Sequence, residues 1–275
     1  MNERKRGALK PDVSFEELLG TVATLRGENG CPWDKRQTHE TLRPYLLEET
    51  HEVLEAIETQ DVHSLREELG DLLLQVLLHA QLASEEGAFT IAEVLTDLNA
   101  KLLRRHPHVF QDGAATTEQD LSNQWDAIKR QEKSTQKDHS VLGTVPKTMP
   151  ALFRSFKLQK CAAKTGFDWK SVDDVWKKLD EEIKELSQAQ LEEKNIKRLR
   201  RVEEELGDVL FTVVNLGRFI GVNPELALKG ANDRFVDRFH YIEQKINASG
   251  LDIKNMTLDD LDLLWKQAKQ ALEKI

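Results

Sequence analysis

Apolar residues recur along this chain at the spacing of helices. Leu69, Leu72, Leu73, Val76, Leu77 and Ala80 follow the i, i+3, i+4 rule, and Leu206, Val209, Leu210, Val213 and Val214 repeat it. The pattern predicts helices over 14–27, 40–59, 62–86, 90–106 and 117–133, then over 151–164, 171–190, 195–220, 224–248 and 257–273. Their starts carry capping chemistry: Thr90 with Glu93 as a capping box, Ser171 with Asp174, and Asn223 before Pro224 as N-cap and first-turn proline. Between the two sets, residues 134–150 break the periodicity with polar Ser134-Thr135-Gln136-Lys137-Asp138, then Gly143, Pro146 and Pro150, and read as a linker. No stretch alternates as a strand would. The expected fold is all-α, two helical bundles in series over 1–133 and 151–275.

The polar positions repeat as well. Glu48-Glu49-Thr50-His51-Glu52 precedes Glu67-Glu68-Leu69-Gly70-Asp71, and Glu181-Glu182-Ile183-Lys184-Glu185 precedes Glu203-Glu204-Glu205-Leu206-Gly207-Asp208. Helical geometry sets Glu49 beside Glu52, Glu68 beside Asp71, Glu182 beside Glu185 and Glu205 beside Asp208. A single acidic helix face is ordinarily a solvated one. Here the second pair of each set begins the most apolar helix of its half, at the mouth of a core. The set also recurs, although 15 residues separate Glu52 from Glu68 and 19 separate Glu185 from Glu205. Like charges so placed repel unless a cation joins them, and hard oxygen ligands suit Mg²⁺ or Mn²⁺ better than zinc. Gly70 and Gly207 interrupt good helical sequence at about 1 kcal/mol each. That permits close approach of a ligand or tight packing of a helix.

Length and charge narrow the function. Two domains fit 275 residues, and the offsets agree: 133 positions from Glu49 to Glu182, 136 from Trp33 to Trp169, 137 from Asp71 to Asp208. A net charge of −9 argues against a nucleic-acid polymer as partner, while small phosphorylated ligands remain open because a bound metal reverses the local field. Two cysteines, Cys31 and Cys161, make no disulfide framework, and no apolar run reaches membrane-span length, so the expected setting is cytoplasmic, with no membrane partner. Basic pairs at i, i+4 follow each acidic set, Lys101 with Arg105 and Arg234 with Arg238, either as ordinary helix ion pairing or as the charge a polyphosphate ligand would meet. Trp125 and Trp265 come next, as core residues or as faces for a base or ribose. Glu48-x-x-His51 matches half of a di-iron motif, but Lys184 stands where the second half would repeat His51. The chain has no Walker loop and no dinucleotide fingerprint.

The duplicated Glu-Glu-x-x-Glu, spacer, Glu-x-x-Asp pattern resembles the MazG-type all-α nucleoside triphosphate pyrophosphohydrolases. The likeness extends to Gly30-Cys31-Pro32-Trp33-Asp34, Val145-Pro146-Lys147-Thr148-Met149-Pro150-Ala151-Leu152 and Gly166-Phe167-Asp168-Trp169. It implies two tandem MazG-like four-helix bundles, a homodimer, and Mg²⁺-dependent hydrolysis of nucleoside triphosphates to monophosphate and pyrophosphate. The implied metal ligands are Glu182, Glu185, Glu205 and Asp208, with Glu49, Glu52, Glu68 and Asp71 as N-terminal counterparts. The implied nucleotide contacts fall on Lys178 to Glu182, Arg201 to Glu204, Arg234 to Arg238, and Trp265. Glu181, the acidic residue outside that ligand set, is the candidate to orient water. Tandem members of the family use the C-terminal half for hydrolysis. Two other readings fit the same residues: a helical regulatory protein that binds nucleotide or metal without turnover, and a narrower dUTP or aberrant-nucleotide diphosphohydrolase.

Overall fold

The computed structural model describes residues 13–110, 117, 120, 121, 124, 128, 140–192 and 195–272. All regular structure among them is helical. The chain divides into two compact units, residues 1–135 and 136–275. The first contains α1 (Phe15–Arg26), α2 (Pro32–Lys35), α3 (Arg43–Glu58), α4 (Val62–Glu85), α5 (Ile91–Arg105) and α6 (Pro107–Phe110). The second contains α7 (Ala151–Ala163), α8 (Val172–Leu191), α9 (Ile196–Phe219), α10 (Pro224–Ala248), a 3₁₀ turn at Ile253–Asn255 and α11 (Leu258–Leu272).

Each acidic set rides on a helical hairpin. A three-residue turn joins α3 to α4, with Gln60 in the left-handed region at φ 56°, and Asp61 then caps α4 by accepting from the amides of His63 and Ser64. So short a connection folds the helices back along each other, and α3 packs against α4. In the second unit α8 packs against α9, which Asn195 caps by accepting from the Arg198 amide. Helices α1 and α5 also pack on α4, while α7 packs on α9 and α10. Val22, Leu42, Leu77, Leu78 and Leu82 form the core of the first unit, with Phe15, Leu18, Tyr45 and Ile91 against it. In the second unit Val175, Leu179, Val214, Ile242, Ile246 and Ala268 are buried.

Capping followed the sequence at two of the three expected sites. Thr90 and Glu93 form the full box, and Asn223 accepts from the Glu225 and Leu226 amides. Ser171 instead donates its hydroxyl to Asp174, so it makes no side-chain cap. The short helices α2 and α6 lie outside the predicted spans because four residues carry no periodicity. Most of the predicted helix over 117–133, including Trp125, and the start of the predicted linker lie outside the described residues.

One ion pair ties the first unit together. The Arg26 side chain is only 5% exposed and donates to both oxygens of Glu85 at 2.7 and 2.9 Å, and also to the Asp34 and Gln37 carbonyls. Those bonds hold the Glu85 carboxyl below its ordinary value, so this stabilisation is complete above the unfolded carboxyl value and is lost as pH falls through the lowered folded one. Arg26→Met leaves two carbonyls and a carboxylate short of a donor. It is expected to cost about 2–4 kcal/mol, read as a lowered urea midpoint.

Candidate functional site

Three carboxylates converge in the second unit. Oxygens of Glu182 and Glu185, one turn apart on α8, and of Glu205, facing them from α9, all lie within 4.8 Å of one another. Glu182 is 5% exposed, beside the buried Val175 and Leu179 of the same helix. Partial loss of solvent, then repulsion from Glu182 and Glu205, raises the Glu185 carboxyl. Two cations answer this charge. Lys178 donates to Glu181 and Glu182, at 2.7 Å each, and those bonds raise its ammonium above the ordinary lysine range. Arg201 reaches Glu205 at 3.5 Å and also pairs with Glu192. Asp208, one turn beyond Glu205, is exposed and lies outside the three-oxygen group; Glu204 is likewise exposed.

The first unit builds a related group on α3 and α4, from one acid of the first helix and two of the second. Oxygens of Glu49, Glu68 and Asp71 lie within 4.8 Å of one another. Glu52 interacts with both Glu49 and Glu68. Desolvation, then Asp71 and Glu52, raises the Glu49 carboxyl; desolvation, then Glu52 and Glu67, raises that of Glu68. Both groups fit a hard divalent cation. Ligand oxygens about 2.1 Å from a six-coordinate Mg²⁺ stand about 3 Å apart when adjacent and about 4.2 Å when opposite, within the observed separation. Desolvation is the larger cause of the raised carboxyls and mutual repulsion the next, and a cation would relieve the second.

The basic and aromatic candidates form a second group, on α10 and α11. The Arg238 guanidinium lies 5.6 Å from the centre of the Trp265 ring, and Phe235 packs on the same ring at 5.4 Å. Arg234 folds back along its helix, so that a Cβ built on Gly230 would meet its guanidinium at 3.3 Å. Within the chain, therefore, Arg238 joins Trp265, while Lys178, Glu181 and Arg201 join the carboxylates. Gly70 and Gly207 do not serve tight packing: a Cβ at either meets nothing within 4 Å. Both mark open surface next to an acidic cluster.

Two features escaped sequence reasoning. His39 and His79 stack with parallel rings and share a 2.7 Å contact between their Nδ1 atoms, although 40 positions separate them. The pairing of Lys178 and Arg201 with specific carboxylates was available in principle. Each stands one helical turn before its acid, at the i, i+4 spacing of helical ion pairs.

Comparison with known proteins agrees with this architecture. Residues 37–110, which carry the first acidic set, match the MazG nucleotide pyrophosphohydrolase domain. The chain is 46% identical to the nucleoside triphosphate pyrophosphohydrolase/pyrophosphatase MazG of Thermotoga maritima, over 94% of its own length and 96% of that protein. It is 43% identical to the nucleoside triphosphate pyrophosphohydrolase of Escherichia coli K12, over 93% of its length and 97% of the relative. YabN of Bacillus subtilis is 48% identical over 94% of the chain, which spans 52% of that longer protein. Near-complete coverage by relatives of this identity, on an all-helical chain with two acidic hairpins, shows that the chain belongs to the MazG nucleotide pyrophosphohydrolase family.

Proposed function

We propose that this protein hydrolyses nucleoside triphosphates to a nucleoside monophosphate and pyrophosphate, in the cytoplasm, as a Mg²⁺-dependent enzyme whose main active site is the α8–α9 cluster. Mn²⁺ is the expected substitute metal. The observation that carries the reading is the three-carboxylate group of Glu182, Glu185 and Glu205 with Lys178 and Arg201 beside it. Acids to hold a cation and bases to hold phosphates there lie on one hairpin. When bound by these carboxylates, and by Asp208 after a side-chain turn, Mg²⁺ supplies charge neutralisation and acidifies water.

The chain's own residues do the rest. Lys178 and Arg201 lie beside the acids that would face a triphosphate, and their charges suit its oxygens. Arg234 and Arg238 bind the outer phosphates, and Trp265 packs against the base or sugar. Glu181 orients the attacking water and takes its proton: its carboxylate lies outside the three-oxygen group, on the residue next to Glu182. Water oxygen bonds to the α-phosphorus as the bond from that phosphorus to the bridging oxygen breaks, and the β- and γ-phosphates leave together as pyrophosphate. Phosphorus NMR of the first-formed products tests this directly. Orthophosphate with a diphosphate would overturn it.

Metal binding has a second readout. Desolvation first and then repulsion between neighbouring carboxylates raise Glu185 and Glu49; a bound cation would offset the repulsion, and a ligand selective for the native state stabilises by mass action. At ten times its dissociation constant, Mg²⁺ is expected to add about 1.4 kcal/mol, about 2–4 °C for a chain of this size. The doubly substituted Glu182→Gln, Glu205→Gln protein is expected to respond less in a thermal-shift assay. An undiminished response places the effective metal elsewhere.

The apolar surface supports a homodimer. On α9, Leu206, Leu210 and Val213 fall at i, i+4 and i+7 and are 47%, 48% and 43% exposed. Trp176 and Ile183 of α8, seven residues apart, are also exposed. A second copy covering this face is the arrangement that can carry the Arg238–Trp265 group of one chain to the carboxylates of another.

A further inference from the structure

Lys178 and a divalent cation compete for the same oxygens. Its ammonium lies 2.7 Å from Glu182, the most buried acid of the cluster, and 2.7 Å from Glu181. Arg201 does the same for Glu205 from one turn earlier on α9, at 3.5 Å. The first unit repeats the acids without the cations. Tyr45 stands four residues before Glu49 and packs edge-on against Trp33 at 5.5 Å, while Ser64 stands four before Glu68 and bonds to Asp61. One chain thus contains two clusters of three converging carboxylates, one with a lysine and an arginine on its acids and one with Tyr45 and Ser64 at those positions.

Resting on the pyrophosphohydrolase reading, we infer that Lys178 is a place-holding cation: it keeps Glu182 aligned before a metal binds and leaves it for the triphosphate when one does. The residue is a positioning group in the first state. Its consequence is coupling. Metal alone must displace a lysine from a buried carboxylate, whereas metal arriving with a polyphosphate gives the displaced ammonium a new anionic partner. The two ligands therefore favour each other, reciprocally, and the C-terminal site takes up metal chiefly as the metal–triphosphate complex. Tyr45 and Ser64 confer no such coupling on the first unit.

The test is Mn²⁺ binding followed by the electron paramagnetic resonance of the free ion. The full-length chain carries Glu49→Gln and Glu68→Gln to remove the other cluster. With Mn²⁺ alone, Lys178→Met is expected to bind about two- to fivefold more tightly than the parent, the scale of a partly exposed ion pair. A non-hydrolysable α,β-methylene triphosphate should tighten Mn²⁺ binding more in the parent than in Lys178→Met. Lys178→Arg, which keeps the charge, is expected to resemble the parent. Circular dichroism checks the fold, and Lys178→Gln replaces the methionine variant if that one does not fold. Equal or weaker Mn²⁺ binding by the neutral variants overturns the place-holder, as does an arginine variant that behaves like methionine. Pyrophosphate release by the wild-type chain is scored separately: its absence overturns the activity reading whatever the Mn²⁺ titration gives.

Discussion

Glu185→Ala and Glu182→Gln are each expected to lower turnover by about two to three orders of magnitude or more, the scale on which removal of one preorganised electrostatic group acts. The reason is geometric. Each supplies one of three oxygens within 4.8 Å, and among the described residues no other carboxylate shares that group with Glu205. Glu182→Gln keeps the shape of a 5% exposed side chain and removes only its charge, so helical circular dichroism should persist. Asp208→Ala is expected to act as strongly if its side chain turns in to complete the set; from its exposed position it should leave the fold intact. The corresponding changes in the first unit, Glu52→Ala and Asp71→Ala, are expected to leave most turnover in place. That unit has Tyr45 and Ser64 where the second has Lys178 and Arg201. Steady-state pyrophosphate release decides between the halves. If the N-terminal changes abolish it and the C-terminal ones do not, the assignment of the active half is reversed.

The contrast between Tyr45 and Lys178 also shows where sequence reasoning stops. The acids were legible because helical periodicity sets i and i+3 on one face, and because the set occurs twice. Periodicity likewise located α3, α4, α8 and α9 within a few residues of their ends. It could not say that Glu205, 20 positions after Glu185, faces it across a hairpin; only the packing of α8 on α9 does that. Nor does spacing distinguish Asp208, an i+3 neighbour by rule but exposed and apart from the cluster. The His39–His79 stack is a contact between a loop and a helix, with no local signature. Ser171 had a capping sequence but uses its hydroxyl as a donor to Asp174, a choice that composition does not encode. Gly207 is the more instructive case. In sequence it reads equally as a packing glycine or an open one, and the empty space around its Cβ decides for the second.

Leu206→Asp with Leu210→Asp is expected to dissociate the protein into single chains and to remove most turnover. Both residues sit on the exposed stripe of α9, 47% and 48% accessible, in register with Val213. The stripe recurs in the first unit as Leu69, Leu73 and Val76, each 137 positions earlier and 50%, 37% and 43% accessible. Single exposed leucines need no explanation, but rows of three, repeated, on the helices that carry the acids point to a partner. Such a partner, if a second copy, meets the same stripe on itself in a two-fold interface. An aspartate there must be desolvated without a counter-charge, at several kcal/mol each. The dimer dissociation constant should then rise by at least about a hundredfold, since each 1.4 kcal/mol is tenfold. Loss of turnover follows if the Arg238–Trp265 group of one chain serves the carboxylates of the other. Analytical ultracentrifugation and pyrophosphate release on the same samples test both steps. A wild-type chain that sediments as a monomer with full activity overturns the dimer. A variant that is monomeric and fully active shows instead that each chain completes its own site.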